Sequence, residues 1–199
     1  MSITIAWIAV LLIVITTTGL LLARDWRWSI IFLAAQFLGV FVLTLQHWPL
    51  SMAAVKVVAG WMAAAILGMT RSGLTAEESG EEFTRPGGKL FRLFAAAIVV
   101  LIVAVVTPGV DTIMADAGFP VTNGALLLIG MGLLHLGMNT QILRVTLGLL
   151  TVLSGFEILY SAVEGSVLVA ALLAAINLGL ALAGAYLLIA SDAREPDST

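Results

Sequence analysis

The sequence predicts an all-α, polytopic integral membrane protein of about seven transmembrane helices, with the N-terminus outside and the C-terminus in the cytoplasm. Three observations carry this. The 199 residues are 61% hydrophobic and 11% charged, with a mean hydropathy of +1.12. Soluble domains are about 45–50% apolar and about 25% charged. The apolar residues gather in stretches of about 20, the length that crosses a bilayer core as a helix. They are apolar all round, which excludes the short alternating strands of a β-barrel. Lys and Arg, finally, collect in alternate loops.

The first span is read at Ile3–Ala23 and kept as a span, because Met1-Ser2-Ile3-Thr4 lacks the basic region of a secretory signal. The others follow near Trp28–Gln46, Leu50–Thr70, Leu90–Thr107, Val121–Met138, Ile142–Val163 and Ser166–Ala190. With these spans, Arg24, Arg27, Arg71, Arg85, Lys89, Arg92, Arg144 and Arg194 fall on one side. The loops around His47, Asp111–Asp116 and Glu164 carry no Lys or Arg. Cytoplasmic loops attract Lys and Arg, and losing one span would scramble the separation. Trp26 and Trp28 are expected at the inner interface and Trp48 at the outer, where indole rings prefer to sit. Thr75-Ala76-Glu77-Glu78 fits a capping box, so a short acidic helix is expected to run through Glu81 and Glu82 and stop at Arg85-Pro86-Gly87-Gly88. It is read as a solvated connector or as a docking site for a basic partner. Pro108–Pro120 is read as a polar outer loop. The chain thus divides into a three-helix segment 1–71, an acidic cytoplasmic loop 72–89, a fourth helix and outer loop 90–120, a second three-helix segment 121–191 and a polar tail 192–199.

Several chemistries are excluded. No Cys is present and the only His are His47 and His135. That removes thiol catalysis, iron–sulfur ligation and the usual metal-ligand spacings. No metal or other cofactor is expected. The net charge of −3 offers no basic surface for nucleic acid. No phosphate loop, triad or acid/base carboxylate pair occurs, so the chain reads as a non-catalytic component whose surroundings are the lipid bilayer and other membrane proteins.

Polar residues inside spans are few, and in lipid they usually face protein or water. Lys56 lies about four residues outward of the middle of span three. Gly60, Ala64 and Gly68 follow it at four-residue spacing, a small-residue face that lets helices approach. Lys56 therefore either faces protein or snorkels to the outer interface. Glu157 lies at similar depth in span six, with Ser154 and Ser161 on its face. A Lys56–Glu157 pair would compensate two buried charges. Separate solvation in a water-filled cleft, or a protonated Glu157, are the alternatives. His135, Asn177 and Gln36 are read as interhelical glue or as relay members. The stripe Ala171, Ala175, Gly179, Ala183 predicts tight packing of span seven.

Span three reads Val55-Lys56-Val57-Val58-Ala59-Gly60-Trp61. With its basic inner turn and Trp48-Pro49 outer turn, the N-terminal third resembles the first three helices of the J subunit of bacterial complex I. The C-terminal third, with Gln141-Ile142-Leu143-Arg144, Gly148 and Gly179-Leu180-Ala181-Leu182, resembles the three-helix K subunit. A chain joining both resembles the membrane component E of hydrogenase-4 and formate hydrogenlyase complexes, where a Lys in span three and an Ile-Leu-Arg then Gly pattern in span six recur. The resemblance covers most of the chain through short motifs. It implies a subunit of a respiratory complex in a prokaryotic inner membrane, linking redox and antiporter-like modules and sharing in proton translocation. The family's membrane carboxylates, however, fall here at Leu150, Leu153 and Ala175, and Glu157 lies one turn beyond Leu153. The alternatives are a purely structural subunit and a stand-alone transporter. The absence of Pro from the predicted spans counts against the transporter, since broken helices are usual there.

Overall fold

The computed structural model describes residues 3–74, 88–114 and 117–193. The helices are α1 Ile3–Leu22, α2 Trp26–Thr44, α3 Leu50–Ser72, α4 Gly88–Ile113, α5 Phe119–Met138, α6 Ile142–Val163 and α7 Val167–Asp192. All seven are long and apolar enough to cross a membrane, so the fold is that of a polytopic membrane protein. Every backbone donor and acceptor in the hydrocarbon must be satisfied locally, which only helices or a closed barrel achieve. The acidic segment Glu77–Glu82, its capping box, Arg85, Asp116 and Arg194 lie outside the described residues.

Short turns make sequence neighbours antiparallel. Each turn is built from residues that do not continue a helix. Asp25, Pro49, Gln141 and Ser166 precede their helices with extended backbone. Gly118 starts α5 at φ 80°, a conformation open to glycine at little cost.

The contacts between helices define two layers of three. One is α1–α2–α3, the other α5–α6–α7. They lie face to face, with α1 on α5, α2 on α6 and α3 on α7, and α4 flanks the edge formed by α1 and α5. The N-terminal three-helix segment therefore covers the C-terminal one. The core between them is filled by Ile13, Leu33, Phe37, Val40, Leu43, Leu128, Leu147 and Leu150. Glycine sets the closest approaches. A Cβ on Gly155 would come within 2.6 Å of the Ala125 carbonyl, and one on Gly132 within 2.9 Å of the Val152 amide nitrogen, so α5 and α6 touch backbone to backbone. A Cβ on Gly60 would overlap the Phe37 ring.

At the end of the bundle where α1 finishes, two buried arginines meet carbonyls that the helix leaves without internal donors. Arg92 of α4 donates to the Leu21 carbonyl and to Asn139 Oδ1, both at 3.3 Å. Arg144 of α6 donates to the carbonyls of Ala23 and Arg24, each at 3.1 Å, while its Nε is held by Gln141 at 2.8 Å. Cations at a helix C-terminus also complement the macrodipole.

Three expectations need correction. Residues 108–113 belong to α4, with Pro108 inside the helix, and the outer loop is correspondingly shorter. The Thr107 hydroxyl donates to Val103 O at 2.6 Å and accepts from Asn123 Nδ2 at 3.1 Å. These bonds tie the residue before Pro108 to its own preceding turn and to α5. Asp111 faces α5, accepting from the Thr122 hydroxyl at 2.9 Å. The helix continues unbroken through Pro108. Second, Ala171, Ala175, Gly179 and Ala183 are exposed, and nothing lies within 4 Å of a Cβ built on Gly179. The packed face of α7 holds Ala170, Leu173, Asn177, Ala181 and Gly184 instead, with Gly184 against Thr146. The polar Asn177 turned that face inward, and the small stripe followed it outward. Third, Trp48 is buried, at 3% exposure. Its indole N–H meets the Glu164 carbonyl of the α6–α7 turn, so the ring stays at the end of the bundle but is covered there.

Candidate functional site

The two layers are joined in the membrane by polar side chains. Lys56 on α3 and Glu157 on α6 meet at 2.8 Å, Nζ to Oε1, and both side chains are 0% exposed. Asn177 on α7, also 0% exposed, donates from Nδ2 to the same Glu157 oxygen at 2.8 Å. The sequence brought Lys56 and Glu157 to one depth. The structure adds Asn177, whose residue type marked it as polar but whose partner no spacing could show.

Lys56 reaches inward because α3 presents its small-residue face to the bundle. Lys56, Gly60 and Ala64 are buried in one line, and Gly68 is half-buried against Ile30. The small residues bring α2 and α3 together and leave the lysine stem to cross toward α6. Glu157 sits on the most buried helix, between Ser154 and Ser161. Those hydroxyls donate to Leu150 O at 2.8 Å and Ile158 O at 2.7 Å. They are thus spent on their own helix.

Above the pair stands Trp48. Its ring centroid is 5.5 Å from Lys56 Nζ, within the range of a cation–π contact. The indole N–H donates to the Glu164 carbonyl at 2.9 Å. Met52, Ala170 and Tyr160 surround it. Trp48 lies in the α2–α3 turn and Glu164 in the α6–α7 turn, so one side chain ties the two layers together over the charges.

The other candidates lie elsewhere. Gln36 on α2 exchanges hydrogen bonds with the Thr151 hydroxyl of α6, both at 3.4 Å. Thr151 is six residues from Glu157, about 9 Å along the helix. His135 is 2% exposed and packs against Gly148. Neither ring nitrogen has a hydrogen-bond partner among the described residues. It packs at the α5–α6 contact and stands about 13 Å from Glu157 along α6. A cavity of about 240 Å³ opens near the start of α5, between Ile3, Gln46, His47, Gly118 and Val121; neither Lys56 nor Glu157 lines it. Among the described residues no cluster of His, Asp and Glu could hold a metal ion.

The arrangement is chemically a closed charge pair with a carboxylate that can hold or release a proton beside an ammonium. Comparison of the chain with protein-family models, with curated proteins and with solved structures gave no match.

Proposed function

We propose that this chain is a membrane subunit of a complex-I-like or membrane-bound hydrogenase-like respiratory complex in a prokaryotic cytoplasmic membrane. Its N-terminus lies outside and its C-terminus inside, in keeping with the distribution of Lys and Arg. It bridges the redox arm to antiporter-like subunits, and its Lys56–Glu157 pair takes part in proton translocation. The observation that carries this is the pair itself. Lys56 belongs to the segment resembling the J subunit, Glu157 and Asn177 to the segment resembling the K subunit, and the three meet fully buried between the layers. An ionisable residue held inside the membrane is, by default, a sign of ion traffic.

A second reading, a purely structural subunit, is favoured by the apolar residues Leu150, Leu153 and Ala175 where the similar families carry carboxylates. Affinity purification from the native membrane tests the class: recovery with redox and antiporter-like subunits supports it, and recovery alone or as a homo-oligomer refutes it. In the purified complex, Glu157→Gln separates the two readings. Proton transport per electron falls if the pair works in the path. Unchanged coupling with intact assembly leaves the structural reading.

A further inference from the structure

We infer that the Lys56–Glu157–Asn177 cluster is a water-binding site, closed by Trp48 at the end of the bundle that holds the α2–α3 and α6–α7 turns. An ammonium has three N–H donors and a carboxylate two accepting oxygens. Lys56 Nζ contacts one oxygen of Glu157. Glu157 Oε2 and Asn177 Oδ1 have no hydrogen-bond partner among the described residues, although the side chains are 0% exposed. The nearby Ser154 and Ser161 hydroxyls already donate to Leu150 and Ile158 carbonyls. The cluster therefore keeps spare N–H donors on Lys56 beside two spare acceptors, one on Glu157 and one on Asn177. The acceptors belong to groups already joined by a 2.8 Å bond. Buried polar groups are nearly always satisfied.

The chemistry of the spare valences selects the ligand. A metal cation would meet the ammonium, and an anion would meet the carboxylate. A water molecule accepts from Nζ and donates to Oε2 and Oδ1, three bonds in all, the usual complement of a buried water. Trp48 supplies the closure. Its ring lies 5.5 Å from Nζ, and its N–H is fixed to the far layer through Glu164. This inference stands on geometry, independently of whether the pair moves protons.

The test uses the full-length chain in lipid nanodiscs and has two arms. A structure at a resolution that shows ordered waters is expected to place density within about 3 Å of at least two of Nζ, Oε2 and Oδ1. Ordered side chains without such density overturn the proposal. The second arm exploits the absence of native Cys. Ser161→Cys places a thiol one turn from Glu157, and small cationic methanethiosulfonate reagents attack only a hydrated thiolate. The thiol is expected to be almost unreactive beneath Trp48. Trp48→Phe keeps the ring but loses the N–H bond to Glu164, and should raise the labelling rate about fivefold, the effect of one lost hydrogen bond. Trp48→Ala should raise it further, and Trp28→Ala, an exposed indole at the opposite end, should not change it. Where Trp48→Ala fails to accumulate, the Phe variant carries the comparison. Equal rates with Trp48 and with Phe overturn the closure. Labelling reads access alone, so its failure is distinguishable from unchanged proton coupling in Glu157→Gln.

Discussion

Breaking the ion pair from one side should cost more than removing it altogether. Lys56→Met keeps the length of the side chain and deletes its charge, leaving Glu157 with Asn177 as its side-chain partner among the described residues. Glu157→Gln keeps the shape of the carboxylate and leaves an ammonium against a neutral amide. With both groups 0% exposed, bulk solvent does not screen the stranded charge. Removing one partner of a buried pair costs about 3–5 kcal/mol. In the double variant the stranded charge is gone and Gln can still meet Asn177, so a net loss of about 1 kcal/mol is expected from the polar contact that disappears. The two single costs thus sum to about 6–10 kcal/mol against about 1 for the double. Neutral interhelical hydrogen bonds in membranes average about 0.6 kcal/mol, so a coupling above about 2 kcal/mol identifies a charge pair rather than ordinary glue. Unfolding of the purified chain from bicelles by increasing SDS gives the four stabilities of the cycle. Single variants within about 0.5 kcal/mol of the parent, or a double variant equal to their sum, would refute the reasoning.

The same unfolding assay checks the remaining expectations. Gly60→Ala should cost about 1–3 kcal/mol by overpacking against Phe37, whereas Gly179→Ala, with open space around it, should stay within about 0.5 kcal/mol of the parent. Gln36→Leu should cost about 0.6 kcal/mol, the worth of a neutral interhelical bond. Arg144→Lys should lose about 1.5–3 kcal/mol despite its retained charge, because an ammonium cannot reproduce the fork that holds Gln141 and two carbonyls. Topology is read separately: a thiol introduced by Ser79→Cys should be labelled by an impermeant reagent only from the cytoplasmic face, and labelling from outside intact cells would invert the proposed orientation.

How far the sequence was legible depends on the kind of physics involved. The spans follow from hydropathy, which needs only composition in a window, and the observed helices match them to within a few residues except at Pro108. There the sequence shows a helix breaker. It does not show that Asn123 and Thr122 on the neighbouring helix hold Thr107 before it and Asp111 beyond it. The meeting of Lys56 and Glu157 was open to depth arithmetic, because helical rise is constant. Asn177 was not, since its part depends on which face α7 turns toward α6. The small stripe of α7 failed for the same reason: four-residue spacing of Ala and Gly describes a smooth face and says nothing about what touches it. Trp48 was legible as a turn residue at one end of the bundle, but not its partners, because the Glu164 carbonyl that covers it is 116 residues away.

The interlayer ion pair also sets a timetable for biosynthesis. Lys56 emerges from the ribosome about 100 residues before Glu157, which at about 5–20 residues per second is a wait of roughly 5–20 s. For most of that interval α6 is not yet made, and α7 follows only after it. Lys56 must meanwhile reach for headgroups or be held by the insertion machinery, since a bare ammonium in hydrocarbon is costly. Completion of the bundle is then a late, single docking of α6 and α7 onto a layer that has been waiting for its counter-charge. A chain that stalls or is cut before Glu157 keeps the Lys56 ammonium without its carboxylate partner.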